Sequence, residues 1–110
     1  MYEITFTPTA TAQLTSITNY ITNELFNPSA SVKLLEEIMK KIDILKEYPQ
    51  LYPIVKDKNR KSNDVRRIIV NLFNVYYWIN EKEKKIFIAS VLYGKRDQTK
   101  QLHEMKISRS

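Results

Sequence analysis

The spacing of apolar residues changes once along the chain, and that change limits the fold more than any other feature. In the first half, Ala10, Leu14, Ile17, Ile21 and Leu25, and then Val32, Leu35, Ile38, Met39, Ile42 and Leu45, recur every three or four positions. That spacing gives a helix one apolar face. Beyond about residue 63 the period falls to two, across 65–70, 73–80 and 85–93, which is the alternation of strands. Helices and strands arranged in successive blocks, rather than interleaved, imply an α+β fold.

Local signals set the limits of each element. Tyr2 to Thr7 alternates apolar and polar residues and reads as a strand. Thr7-Pro8 and Asn27-Pro28 each place a capping side chain before a proline at the first helical position, and Tyr48-Pro49 stops the second helix. The short link between the helices predicts an antiparallel hairpin. Asn71-Leu72 and Glu81-Lys82-Glu83-Lys84 separate the three later strands, so these form an antiparallel meander. Residues 97–107 have Leu102 and Met105 as a weak apolar stripe, for a short terminal helix or a frayed tail. The expected order is β-α-α-β-β-β in a single domain over residues 1–110. The helical hairpin covers one face of a twisted antiparallel sheet and leaves the other open.

Composition removes whole classes of chemistry. The chain has no cysteine and one histidine, His103, so thiolate catalysis and zinc ribbons are excluded, and no metal or other cofactor is expected. No apolar run approaches the roughly 20 residues that span a bilayer, and the first residues do not resemble a signal peptide. A cytoplasmic protein without membrane contact is the expectation. The net charge is +6, which suits a nucleic acid or an acidic protein. Much of the excess lies after residue 55: Lys56, Lys58, Arg60 and Lys61 in one loop, then Arg66, Arg67, Lys95 and Arg96.

Alternation sorts the candidate side chains. Tyr77 shares a face with Phe73, Val75 and Ile79 and is expected in the core, whereas Tyr76 and Trp78, with Asn74 and Asn80, are expected on a contact surface. Arg66 and Arg67 point to opposite sides of their strand, so without a bulge they do not serve one site. Gly94, the only glycine, reads as a tight turn that ends the last strand.

Tyr20-Ile21 closing the first helix, Asn27-Pro28 followed by Ala30, Leu45 before Pro49, Arg66 opening a strand, Tyr77, and Val91-Leu92-Tyr93-Gly94-Lys95-Arg96-Asp97 stand in an order and spacing that resembles the RelE/ParE superfamily of bacterial toxins over residues 2–97. The resemblance implies a toxin silenced by a cognate antitoxin, with operator DNA contacted only through that antitoxin. RelE-like members cleave messenger RNA in the ribosomal A site, while ParE-like members poison DNA gyrase.

For the ribonuclease branch the resemblance offers Arg66, Tyr93, Lys95 and Arg96 as the catalytic set. For a target or nucleic-acid surface it leaves Lys56, Lys58, Arg60, Lys61, Tyr76 and Trp78. Asn74 stands where RelE-like toxins usually carry an arginine, Leu102 where some carry a tyrosine, and Tyr93 where many relatives have histidine. An amide supplies no cation, and a phenol with an ordinary pKa near 10 is a poor base. These departures favour the gyrase branch over A-site cleavage. A non-catalytic RNA- or DNA-binding domain is the third reading, without an RNP-like sequence to support it.

Overall fold

The computed structural model describes residues 1–55 and 64–94. Strand β1 (Glu3–Phe6) leads into helix α1 (Pro8–Asn19), a π-turn (Tyr20–Glu24) and helix α2 (Pro28–Ile44), followed by β2 (Val65–Val70), β3 (Phe73–Asn80) and β4 (Lys85–Tyr93). The strand order is β1-β4-β3-β2. The β2–β3 and β3–β4 pairs are antiparallel, as expected for a meander. β1 instead runs parallel to β4, so the sheet is mixed rather than wholly antiparallel. The helical hairpin supplies the long crossover that a parallel pair requires.

Both helices begin as their sequences prescribe. The Thr7 hydroxyl accepts the amide of Ala10 at 3.1 Å, and the Asn27 side chain accepts the amide of Ala30 at 3.2 Å; each cap contributes about 1 kcal/mol. The first helix does not continue regularly to Leu25. The amide of Leu25 bonds back to the carbonyl of Tyr20, and Phe26 takes a positive φ of 51° while 85% exposed. A bulky side chain rarely adopts that backbone region.

The core lies between the hairpin and one face of the sheet. Ile38, Ile42 and Leu45 of α2 and its C-terminal end meet Ile68, Val75, Tyr77, Ile86 and Ile88, all essentially inaccessible. A bulge fixes α1 against β4. Tyr76 pairs with Ser90 and Tyr77 with Ile88, which leaves Ala89 as an extra residue. The Thr7 hydroxyl donates to the carbonyl of Ala89, and the amide of Val91 donates to Gln13 Oε1 at 2.7 Å. The β2 edge is covered in part by Pro53–Val55: the amide of Arg67 donates to the carbonyl of Pro53, and that of Val55 to the carbonyl of Val65. Among the described residues no helix is long and apolar enough to cross a membrane. The segment 97–107 lies outside the described residues.

Candidate functional site

Strand parity divides the candidates between two faces. Arg66 shares its side of β2 with Ile68 and Val70 and pairs with Tyr77, so it emerges on the helix-covered face. Its Nη1 donates to the carbonyl oxygens of Tyr52 at 2.7 Å and Gln50 at 3.3 Å. The guanidinium therefore ties down the chain that leaves α2. In the same corner the Tyr77 hydroxyl donates to the carbonyl of Pro49 at 2.8 Å, and burial pushes its phenol up to about 12.

Tyr93 also lies on the helix side, at the far end of the sheet. It pairs with Phe73, which pairs with Val70, whereas Arg66 stands level with Tyr77 and Ile88. Four residues of β2 separate the two levels, about 13 Å along the strand. The Tyr93 ring meets Phe73 edge-on, with centroids 5.7 Å apart. It lines an apolar pocket of about 660 Å³ with Ile17, Tyr20, Ile21, Leu25 and Phe73. Arg66 and Tyr93 are not brought together. Lys95 and Arg96 of the same candidate set, and the loop cations Lys56, Lys58, Arg60 and Lys61, lie outside the described residues.

The opposite face carries three cross-strand rows. Val65, Trp78 and Phe87 form one, Arg67, Tyr76 and Ser90 the next, and Ile69, Asn74 and Leu92 the third. Trp78 and Phe87 stack with centroids 4.5 Å apart and 20° between planes. Tyr76, expected on an exposed contact surface, is instead 5% exposed, because it packs in a small second core with Val65, Leu92 and Val55. Burial raises its pKa, and hydrogen bonding and charge from Arg67 offset only part of that rise. The phenol is therefore neutral at physiological pH. Trp78 remains half-buried at the rim.

Gly94 owes its identity to close approach rather than to a special backbone angle, since no glycine has a positive φ. A Cβ there would stand 2.5 Å from Asn74 Nδ2 and 3.3 Å from the carbonyl oxygen of Leu72. Among the described residues no three His, Cys, Asp or Glu side chains are placed to hold a metal ion.

What sequence reasoning left unused is Arg67, Phe87 and Ser90 on the face opposite the helices, which was expected to be open but where Val65, Asn74, Tyr76, Ser90 and Leu92 are all buried. Arg67 was legible from parity: it alternates with the apolar Ile68 and Val70, which leaves it opposite the core.

Residues 4–98 match the family model of the ParE toxin of the type II toxin–antitoxin system, parDE. The chain belongs to the ParE toxin family. Solved structures show the same fold at low identity. A chain of the chromosomal ParDE toxin–antitoxin system from P. aeruginosa aligns with a TM-score of 0.68 and 18% identity, covering 86% of this chain and 98% of that one. The isolated E. coli RelE toxin aligns with a TM-score of 0.60 and 16% identity, over 97% and 99%. A chain of the archaeal RelE–RelB complex from Pyrococcus horikoshii gives 0.59 and 20%, over 87% and 98%. No curated protein sequence matches.

Proposed function

We propose that this ParE-family chain arrests bacterial growth by poisoning DNA gyrase and is held silent by a cognate antitoxin. The observation that carries the choice of target is the position of Arg66. Cleavage through a 2′-hydroxyl attack wants a base, an acid and cations converging on one phosphate. Arg66 is committed to two main-chain carbonyls, about 13 Å of strand from Tyr93. Tyr93 in turn faces an apolar pocket. A protein that works by binding does not need those groups assembled.

An antitoxin partner is supported by relatives solved as toxin–antitoxin complexes, among them the intact E. coli RelBE complex. The exposed apolar residues Tyr20, Leu25, Phe26 and Leu72 near the Tyr93 pocket suit an amphipathic segment. Ribosome-dependent cleavage of messenger RNA is the second reading, favoured by the likeness to RelE over nearly the whole chain.

Expression of the chain alone should stop growth with loss of negative supercoiling in a reporter plasmid, and co-expression of the antitoxin should restore both. Normal growth with soluble, folded protein contradicts the toxin assignment. Growth arrest with unchanged supercoiling contradicts gyrase as the target.

A further inference from the structure

Strand β1 presents an unprotected edge. Its neighbour in the sheet is β4 alone, and the amides of Glu3 and Thr7 donate to the β4-side carbonyls of Lys84 and Ile88, each at 3.0 Å. Successive residues of a strand turn their backbone groups to opposite sides, so Ile4 and Phe6 turn theirs outward. Among the described residues no backbone hydrogen bond reaches that outer side of Ile4 or Phe6. Tyr2, which also points outward, is closed off by the carbonyl of Lys46 at 2.9 Å, and Pro8 has no amide to offer. Natural edges are blunted by a lysine, a proline, a bulge or shortness. Glu3–Phe6 has only its shortness.

The surroundings of this edge are unusual in charge. No charged residue occurs from Ile4 to Asn23, in a chain of which 27% is charged. Phe6 also lines an apolar groove of about 370 Å³ between α1 and α2, with Leu14, Leu35 and Met39. Leu35 is 38% and Met39 44% exposed. A net charge of +6 makes two copies of the chain repel, and near a two-fold axis each group meets its own kind. A charge-free face meets itself without that penalty, whereas an acidic partner would find no cation there to pair with.

We propose that the chain forms a two-fold dimer in which β1 pairs antiparallel with β1 of a second copy, Ile4 opposite Phe6 and Thr5 opposite Thr5. The register follows from which groups are free. A shift in one sense sets Phe6 against Tyr2, whose amide is already bonded, and a shift in the other sets Ile4 against Pro8. In the remaining register Ile4 of one copy and Phe6 of the other exchange both amide–carbonyl bonds. Ile4 and Phe6 point to the helix side, so their cross-strand pairs lie beside the groove, while Thr5 meets Thr5 on the other face. So short a ladder buries too little surface for a stable complex, and Leu35 and Met39 of the groove complete the interface. The two-fold uses the outer edge of both β1 strands, so assembly stops at two. The groove shares no residue with the Tyr93 pocket, and the proposal goes beyond the toxin reading.

Sedimentation equilibrium of the full chain from about 1 to 300 µM, with amide hydrogen exchange at both ends of that range, tests the proposal. A monomer–dimer equilibrium with a Kd on the order of 10 µM, in keeping with a small interface, is the expected result. Exchange at Ile4 and Phe6 should slow at the higher concentration. Sodium chloride at about 0.5 M should strengthen the dimer or leave it unchanged, because salt screens the repulsion between like-charged copies. Thr5→Lys, which sets ammonium against ammonium at the axis, should weaken dimerisation about tenfold, and Met39→Glu by a comparable factor. Thr5→Val should retain it. A monomer throughout the range, dissociation by salt, wild-type dimerisation in either folded charge variant, or a dimer in which Ile4 and Phe6 exchange as fast as in dilute solution overturns the proposal. So does a monomer whose Ile4 and Phe6 amides are protected only by added antitoxin, which gives the edge to a foreign strand. Growth arrest and supercoiling are scored separately, so failure here leaves the gyrase reading standing.

Discussion

The guanidinium of Arg66 and the carbonyl oxygen of Tyr52 lie 2.7 Å apart across the gap between β2 and the chain that follows α2. A second bond to Gln50 from the same nitrogen makes Arg66 a clamp on that segment. Hydrogen bonds from a charged donor are worth roughly 1.5–3 kcal/mol each, and truncation strands the acceptors. Arg66→Ala should therefore lower stability by about 2 kcal/mol in chemical denaturation. Arg66→Lys should recover only part of it, because an ammonium lacks the planar fork. An unfolding midpoint identical to wild type in Arg66→Ala contradicts the clamp.

Gly94→Ala should destabilise the fold through crowding. The added methyl meets the Asn74 amide at 2.5 Å and the Leu72 carbonyl at 3.3 Å, and overpacking of this kind costs roughly 1–3 kcal/mol. The loss should be smaller when Asn74 is also changed to Ala, since the closer contact is then gone. A double-mutant cycle by urea denaturation measures that coupling. Strictly additive losses refute the close-approach account.

Tyr77 predicts an alkaline limit to stability. Its phenol is buried and hydrogen-bonded to Pro49, with a folded pKa of about 12 against an ordinary 10. A raised folded pKa means that the contribution is fully present below pH 10 and is lost as the pH rises toward 12. Tyr77→Phe should be less stable than wild type near neutrality, by about 1 kcal/mol for the unpaired carbonyl. Between pH 9 and about 11.5 its denaturation midpoint should fall less steeply than that of the wild type. Parallel slopes exclude Tyr77 as a source of the alkaline loss.

The antitoxin complex should tolerate salt. Apolar burial at Tyr20, Leu25, Phe26 and the Tyr93 pocket is insensitive to screening, whereas contacts between exposed charges are not. Raising sodium chloride to about 0.3 M should weaken the complex only in part by calorimetry. Complete dissociation at that concentration indicates a purely electrostatic pairing.

Where turn chemistry and periodicity acted together, the sequence was a sufficient guide. The limits of β2, β3 and β4 follow from Asn71-Leu72 and the Glu81–Lys84 turn, and both helix starts follow from their cap-and-proline pairs. The parallel pairing of β1 with β4 was not legible, because partner choice is a long-range property that no local pattern encodes. The same holds for Tyr76. Alternation gave its face correctly, but its burial depends on Val55 arriving from across the β2 edge. The π-turn at Tyr20–Glu24 has no cap or breaker residue of its own to announce it. The role of Arg66 was hidden for a related reason: its acceptors are main-chain carbonyls, which carry no sequence signature.

The most direct test of the central claim compares purified wild type and Tyr93→Phe in two reactions, DNA gyrase supercoiling and cleavage of messenger RNA on programmed ribosomes. The substitution keeps the ring against Phe73 and in the pocket and removes only the hydroxyl. A gyrase poison should inhibit supercoiling, leave A-site messenger RNA intact and retain at least half of its activity in Tyr93→Phe. Codon-spaced cuts by the wild type that fall about 100-fold or more in folded Tyr93→Phe, as loss of a proton-transfer group would produce, contradict it.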